Sequence, residues 1–118
     1  MSQIRRGEIY WANLDPTIGS EISKTRPVLI VSNNINNRYA ATVSILPITS
    51  TTSKVYPFEV FLPKSEGNLS NDSKAKANQI RTLDKQRIGK KIGEISEEKL
   101  AEIEVAVLNH LGIERSEW

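Results

Sequence analysis

Apolar and polar positions alternate with period two over Gly7 to Leu14 (GEIYWANL), where Ile9 and Trp11 oppose Tyr10 and Ala12, and this predicts a strand. Asp15 to Thr25 has Pro16, Gly19, Ser20 and Ser23 and little apolar periodicity, the signature of a loop. The uninterrupted run Val28 to Val31 predicts a strand buried on both faces. Pro27 cannot donate to a ladder and should open that strand. Asn33 to Asn37 reads as a turn, because Asn tolerates left-handed backbone. Ala40 to Ile48 predicts a third strand, with Pro47 marking a bulge or an edge. After the polar stretch 49–54, Phe58, Val60 and Leu62 alternate in a fourth strand. Pro63 to Asp72 is a polar loop. Ala77 to Leu83 predicts a fifth strand with Ile80 in the core, and Lys91 to Ile95 a sixth.

The period changes only at the end of the chain. Leu100, Ile103, Val107 and Leu111 recur at helical spacing and form one apolar stripe. Ser96 is the expected N-cap, with Glu97 and Glu98 in the first turn where the helix dipole favours acids. A capping box fails, since Lys99 stands where Glu or Gln is wanted. Gly112 suits the left-handed position after the helix, and Ile113 can fold back on Leu108 as in a Schellman end. Short strands between turns, then one amphipathic helix, predict a mainly β fold: a small barrel with a packed helix. With 118 residues, no internal repeat and no linker, residues 1–118 read as a single domain.

Hydrophobic residues make up 38% and charged residues 25%, so nothing departs from an ordinary soluble domain. The chain has no cysteine, which removes disulfides, thiolate metal sites and a Cys nucleophile. Two arginines near the start precede no apolar signal region, and no apolar run is long enough to span a membrane. A cytoplasmic protein is expected. The net charge is +2, but Lys74, Lys76, Arg81, Lys85, Arg87, Lys90 and Lys91 face only one acid, Asp84, in their segment. Glu94 to Trp118 is correspondingly acidic. Two readings stand open: solvated faces of opposite sign, or a basic surface for a polyanion beside an acidic helix.

The sole histidine, His110, cannot support a two-histidine ribonuclease mechanism within one chain. Acidic residues do not cluster at metal spacing, and no glycine-rich phosphate loop occurs, so neither a metal nor another cofactor is expected. Arginine and hydroxyl chemistry remain. Arg26 lies where the polar loop meets the buried strand, a rigid base at the mouth of a barrel. Thr49 stands where the third strand becomes a hydroxyl-rich loop. Taken alone, Arg26 reads more readily as an ordinary strand-edge cation and Thr49 as a turn or hydrogen-bonding residue.

The stretch RRGEIYWANLDPTIGSEISKTRPVLIVSNN has the blocks R-G-[DE]-[IV]-Y-W, D-P-x-x-G-S-E and R-P-V-[LV]-[IV]-[IV]-S. With LPITSTTSKVYPFEV and NQIRTLDKQRIGKKIG, it resembles the MazF/PemK toxins of bacterial toxin–antitoxin systems, from Arg6 to about Leu111. The resemblance implies an SH3-like barrel of five to seven strands with a C-terminal helix, a homodimer and a cognate antitoxin. It implies metal-independent, sequence-selective cleavage of single-stranded messenger RNA by the substrate's own 2′-OH, leaving a cyclic phosphate and a 5′-OH. The family's essential arginine falls on Arg26 and its essential Ser/Thr on Thr49. Glu21 of the G-S-E block and Gln79 before I-R-T fall on substrate-groove positions. Lys24, Ser50 and Arg81 join them as expected RNA contacts.

Arg26, always protonated, would stabilise charge on the phosphate, Thr49 would position it, and Glu21 is a candidate acceptor for the 2′-OH proton. Where many relatives have a glycine-rich stretch this chain has ISKT, which adds Lys24 and should stiffen the loop. Two other classes compete: an inactive RNA binder, and a toxin of the same fold that binds DNA gyrase. The gyrase-directed relatives place a tryptophan near the C-terminus, as Trp118 is here.

Overall fold

A computed structural model describes residues 3–114, and in it the period-two segments join in a sheet of seven strands. They are β1 (Glu8–Asn13), β2 (Thr25–Ile30), β3 (Thr42–Thr49), β4 (Glu59–Leu62), β5 (Ser73–Lys76), β6 (Arg81–Asp84) and β7 (Ile88–Glu94). Helix α1 spans Asn34–Tyr39 and α2 spans Glu97–Leu111. The antiparallel ladder runs β4-β5-β3-β2-β1-β7, with β6 laid along the first half of β3. The expected mainly β class with a C-terminal helix is therefore observed. The arrangement is compatible with a small SH3-like barrel whose ladder stays open between β4 and β7. Among the described residues no helix is long and apolar enough to cross a membrane.

The two prolines within strands, Pro27 and Pro47, sit where β-pairing changes hands. Thr42 to Ile45 pair with β6, whereas Ile48 and Thr49 pair with β5. Pro47 falls between them, so the missing N–H costs no ladder bond on that side, and the strand is central rather than an edge. Pro27 does not open its strand as expected, because β2 already pairs with β1 from Thr25. Pairing of β2 with β3 begins only at Val28, so Pro27 lies where that side is still vacant. Val28, Leu29 and Ile30 are each 0% exposed, as a strand covered on both faces requires. Leu29 joins Ile9, Leu46, Ile48, Val60 and Leu62 beneath Ile103 and Ala106 of α2. Val28 and Ile30 join Tyr10, Leu14, Ile45 and Leu83 on the opposite face.

Three local expectations are corrected. Asn33 to Asn37 is not a turn but the start of α1: the Asn33 side chain caps the Asn36 N–H at 2.8 Å, and the buried Asn37 amide donates to the Ser32 carbonyl. Ala77 to Leu83 is not one strand, since 77–79 fold as a 3-10 turn and only β6 follows. Strand β5 precedes that turn, unannounced, because two of its four residues are lysines. In α2, Ile103 and Ala106 are buried while Leu111 is 52% exposed, so the last turn projects past the sheet and the expected stripe stops short of it.

Both ends of α2 behave as the sequence suggests. Ser96 Oγ accepts from the Lys99 N–H at 3.2 Å, and the Ile113 N–H reaches the Leu108 carbonyl at 2.9 Å across left-handed Gly112. Glu66, from the 3-10 turn Glu66–Asn68, accepts the Ser96 N–H at 2.8 Å. A remote carboxylate thus completes the cap that Lys99 cannot.

Candidate active site

Arg26 and Thr49, 23 positions apart in the chain, line one hollow of about 210 Å³. The ladder brings them together: β1, β2 and β3 lie side by side, Arg26 enters β2 opposite Ala12, and Thr49 closes β3. The Arg26 guanidinium is exposed, and its Nε donates to the Ser23 carbonyl at 3.2 Å. That bond anchors one edge of the planar group in a donor geometry suited to a phosphate. Thr49 Oγ1 accepts from the Thr51 N–H at 3.3 Å, which leaves its own proton free to donate. Ser50 lies beside it on the rim.

The remaining expected RNA contacts lie outside the lining of this hollow. Glu21 and Lys24 are exposed on the loop that leads into Arg26. The Glu21 carboxylate caps the Ile18 N–H at 2.8 Å. Lys24 takes a left-handed backbone (φ 70°), so the chain keeps a glycine-like bend there without a glycine. Its N–H donates to Asp15 Oδ1 at 3.0 Å and its carbonyl accepts from Leu14 at 2.9 Å. Gln79 grips the same loop from the side: its Oε1 accepts from Ile22 N at 2.7 Å and its Nε2 donates to the Ser20 carbonyl at 3.3 Å. Arg81 donates to the Leu14 carbonyl at 3.1 Å from a half-buried position. Gln79 and Arg81 hold the loop in shape.

The basic run 74–91 is mostly internal bracing. Lys85 donates to the Asn37 carbonyl at 2.6 Å, and Arg87 to the carbonyls of Asn13 and Asp15. Lys91 pairs with Glu8 at 2.6 Å. Lys74 and Glu59 form a buried ion pair at 2.9 Å, their side chains 8% and 1% exposed. Lys74 Nζ also donates to the Lys54 carbonyl at 2.7 Å, and Glu59 Oε1 accepts from the Tyr56 N–H at 3.0 Å. The pair therefore clips the β3–β4 loop that begins at Ser50, and Lys74 is the cross-strand neighbour of Thr49. Burial pushes the Glu59 carboxyl up, but the Tyr56 N–H and the ammonium groups of Lys74 and Lys76 outweigh it and hold the group below its ordinary value.

A larger hollow of about 950 Å³ lies between α2 and the α1 end of the sheet, beside the Arg6–Glu104 ion pair. It contains none of the candidate residues, whereas Arg26, Thr49 and Ser50 line the smaller one. There, Trp11, Asn71 and Ile92 are lining residues that sequence reasoning did not single out. Among the described residues, no three His, Cys, Asp or Glu side chains gather as a metal site. Trp118, on which the gyrase-directed alternative rests, lies outside the described residues.

Residues 5–111 match the family described as PemK-like, MazF-like toxin of type II toxin–antitoxin system. The chain is 39% identical over 115 residues to Endoribonuclease MazF9 of Mycobacterium tuberculosis, covering 93% of this chain and 98% of that one. Its fold is similar to the crystal structure of MazF from Deinococcus radiodurans, with a TM-score of 0.84, 29% identity, and coverage of 96% of this chain and 100% of that one. It is also similar to an endoribonuclease from a Mycobacterial species in complex with its cognate antitoxin, with a TM-score of 0.77, 28% identity, and coverage of 98% and 100%.

Proposed function

The chain belongs to the PemK-like, MazF-like toxins of type II toxin–antitoxin systems, and from that premise we propose that it is an endoribonuclease cutting single-stranded messenger RNA without a metal ion. The observation that carries the reading is the meeting of the Arg26 guanidinium and the Thr49 hydroxyl in one hollow. In-line attack by the ribose 2′-oxygen on the adjacent phosphorus forms one P–O bond and breaks the bond to the 5′-oxygen. The products are a 2′,3′-cyclic phosphate and a 5′-OH. Negative charge builds on the nonbridging oxygens, where a guanidinium supplies two parallel charge-assisted hydrogen bonds. Thr49 Oγ1 donates a further bond that fixes the phosphate, with Ser50 alongside. Glu21, on the loop entering Arg26, is the candidate to receive the 2′-OH proton, the departing 5′-oxygen takes its proton from water, and Lys24 adds a cation on the same approach. Gln79 and Arg81 contribute by holding that loop.

The working unit in this reading is a homodimer of single-domain chains in the cytoplasm, silenced by a cognate antitoxin. The antitoxin is an acidic, initially disordered segment that competes with RNA.

Incubating the purified protein with a long RNA and EDTA tests the reading. Cleavage should persist with chelator and leave 5′-OH ends. Arg26→Ala should lower turnover by about 100- to 1,000-fold in a folded protein, the range for removing one preorganised charge stabiliser. Arg26→Lys should fail as well, because a point-charge ammonium lacks the fork geometry. A deoxyribose 5′ of the scissile bond should stop cleavage and spare binding. Near-normal turnover by Arg26→Ala, or a requirement for magnesium, refutes the mechanism.

A further inference from the structure

Phosphate chemistry does not use one wall of the hollow. Trp11 stands on the same side of β1 as Ile9, yet Ile9 is 0% exposed and Trp11 is 43% exposed. The indole is left open at the end of the strand that lines the hollow. Its seat is rigid. Trp11 lies opposite Pro27 in the β1–β2 ladder. On the other side β7 passes so close that a Cβ at Gly89 would stand 3.2 Å from the Trp11 carbonyl oxygen and 3.7 Å from its Cβ. Ile48 and Leu69 add apolar surface below, and Asn71 stands on the rim. The main chain around Asn71 is committed, its carbonyl accepting from Ser73 Oγ at 2.9 Å, while Asp72 caps the Lys64 N–H at 2.8 Å.

We propose that this hollow is a nucleobase subsite, in which an unpaired base next to the scissile phosphate stacks on Trp11 and the Asn71 amide reads its edge. The inference rests on the ribonuclease reading and deepens it. A base is a flat π surface with hydrogen-bonding groups confined to its rim. The hollow presents the complement: an exposed indole and aliphatic floor, an amide at the edge, and a guanidinium with two hydroxyls for the attached phosphate. Stacking tolerates every base, so Trp11 supplies affinity. An amide offers one acceptor and two donors, a pattern that distinguishes base edges, so Asn71 supplies selectivity. Arg26 and Thr49, placed on the phosphate, have no means of telling one base from another.

The test uses the full chain and a single-stranded oligonucleotide made uncleavable by deoxyribose at the scissile position. Stacking contributes enough that Trp11→Leu should weaken binding by about 5- to 150-fold, while Trp11→Phe restores most of it. Leu keeps apolar bulk and lacks the π face, so this contrast separates stacking from packing. On cleavable RNA the same loss should appear mainly in KM. In a Trp118→Phe background, oligonucleotide binding should quench the fluorescence of Trp11, the one tryptophan then left of the two in the chain. Asn71→Asp should alter the base composition found beside the 5′-OH ends without abolishing cleavage. An abasic nucleotide should mimic Trp11→Leu at one position of the oligonucleotide. Equal affinity of the Leu and wild-type proteins, with no position sensitive to base removal, overturns the proposal. Because binding is measured on an uncleavable strand, failure of the subsite is distinguished from failure of the nuclease reading, which the Arg26 and EDTA experiments decide.

Discussion

Removing the ammonium of Lys74 tests whether the β3–β4 loop is held by a buried charge pair. Lys74→Met keeps the length and the aliphatic stem but leaves the Glu59 carboxylate, 1% exposed, without its nearest counter-ion at 2.9 Å. Breaking a buried pair by deleting one partner costs about 3–5 kcal/mol, since the remaining charge stays desolvated. Two features place this case near the low end. The Tyr56 N–H still reaches Glu59 Oε1 at 3.0 Å, and Lys76 Nζ lies 3.3 Å from Oε2 in an ionic contact outside hydrogen-bond alignment. The Lys54 carbonyl also loses its donor, but Lys54 is exposed and water can replace it. A loss of about 3 kcal/mol is expected, a large share of the roughly 5–15 kcal/mol of a typical domain. Urea unfolding at neutral pH measures it, provided the slope with denaturant is unchanged. The double variant Glu59→Leu, Lys74→Met should recover most of the loss, because no deeply buried charge is left alone and the Lys76 ammonium, 22% exposed, can turn to water. A single-variant loss under about 1 kcal/mol, or a double variant less stable than the single, refutes the reasoning.

Acid should destabilise the protein through Glu8 as well as Glu59. Burial pushes Glu8 up, yet the bonds from Lys91, Tyr10 and the Arg5 N–H outweigh it, and both carboxyls titrate below the ordinary value of 4.5. A lowered folded-state pKa gives stability that is present above 4.5 and lost as pH falls through the folded value. Glu8→Gln should therefore flatten the pH dependence of urea stability below 4.5, and an unchanged slope would contradict it. Gly93→Ala should lower stability by about 1–3 kcal/mol through overpacking. A Cβ there would press on the Gly67 carbonyl oxygen and lie 2.8 Å from its carbon, both main-chain atoms of the turn whose Glu66 caps α2. Thermal unfolding at an unchanged midpoint would show that the turn yields freely.

Period two revealed the strands with one conventional polar or apolar rhythm, and it failed where burial is ionic. Ser73, Lys74 and Ala75 are all buried, but SKAK carries no apolar alternation because its core-facing cation is neutralised by Glu59, 15 positions away. Likewise NINNRY buries no apolar side chain, Ile35 and Tyr39 being each 75% exposed, so α1 carries no core-facing apolar stripe to announce it. Its start depends on the Asn33 side chain, and its buried Asn37 is satisfied by Ser32. Charge counting met the same limit. A run of lysines and arginines looks alike whether it faces a polyanion or braces carbonyls, and in this chain Arg81, Lys85 and Arg87 brace carbonyls.

The proposed catalytic pair stood out because it lies in contiguous blocks whose order matches a family. Trp11 and Asn71 lie 60 positions apart by number, and only the ladder makes them neighbours of one hollow. Strand β3 decides that geometry. By exchanging β6 for β5 on either side of Pro47, it carries Thr49 out of the β6 layer and against Lys74, where the clipped β3–β4 loop begins. A residue with no N–H at the exchange lets the strand change partners without orphaning a donor. The same proline that looks like a flaw in a strand is thus what allows the Thr49 hydroxyl, proposed to hold the phosphate, to stand at its end.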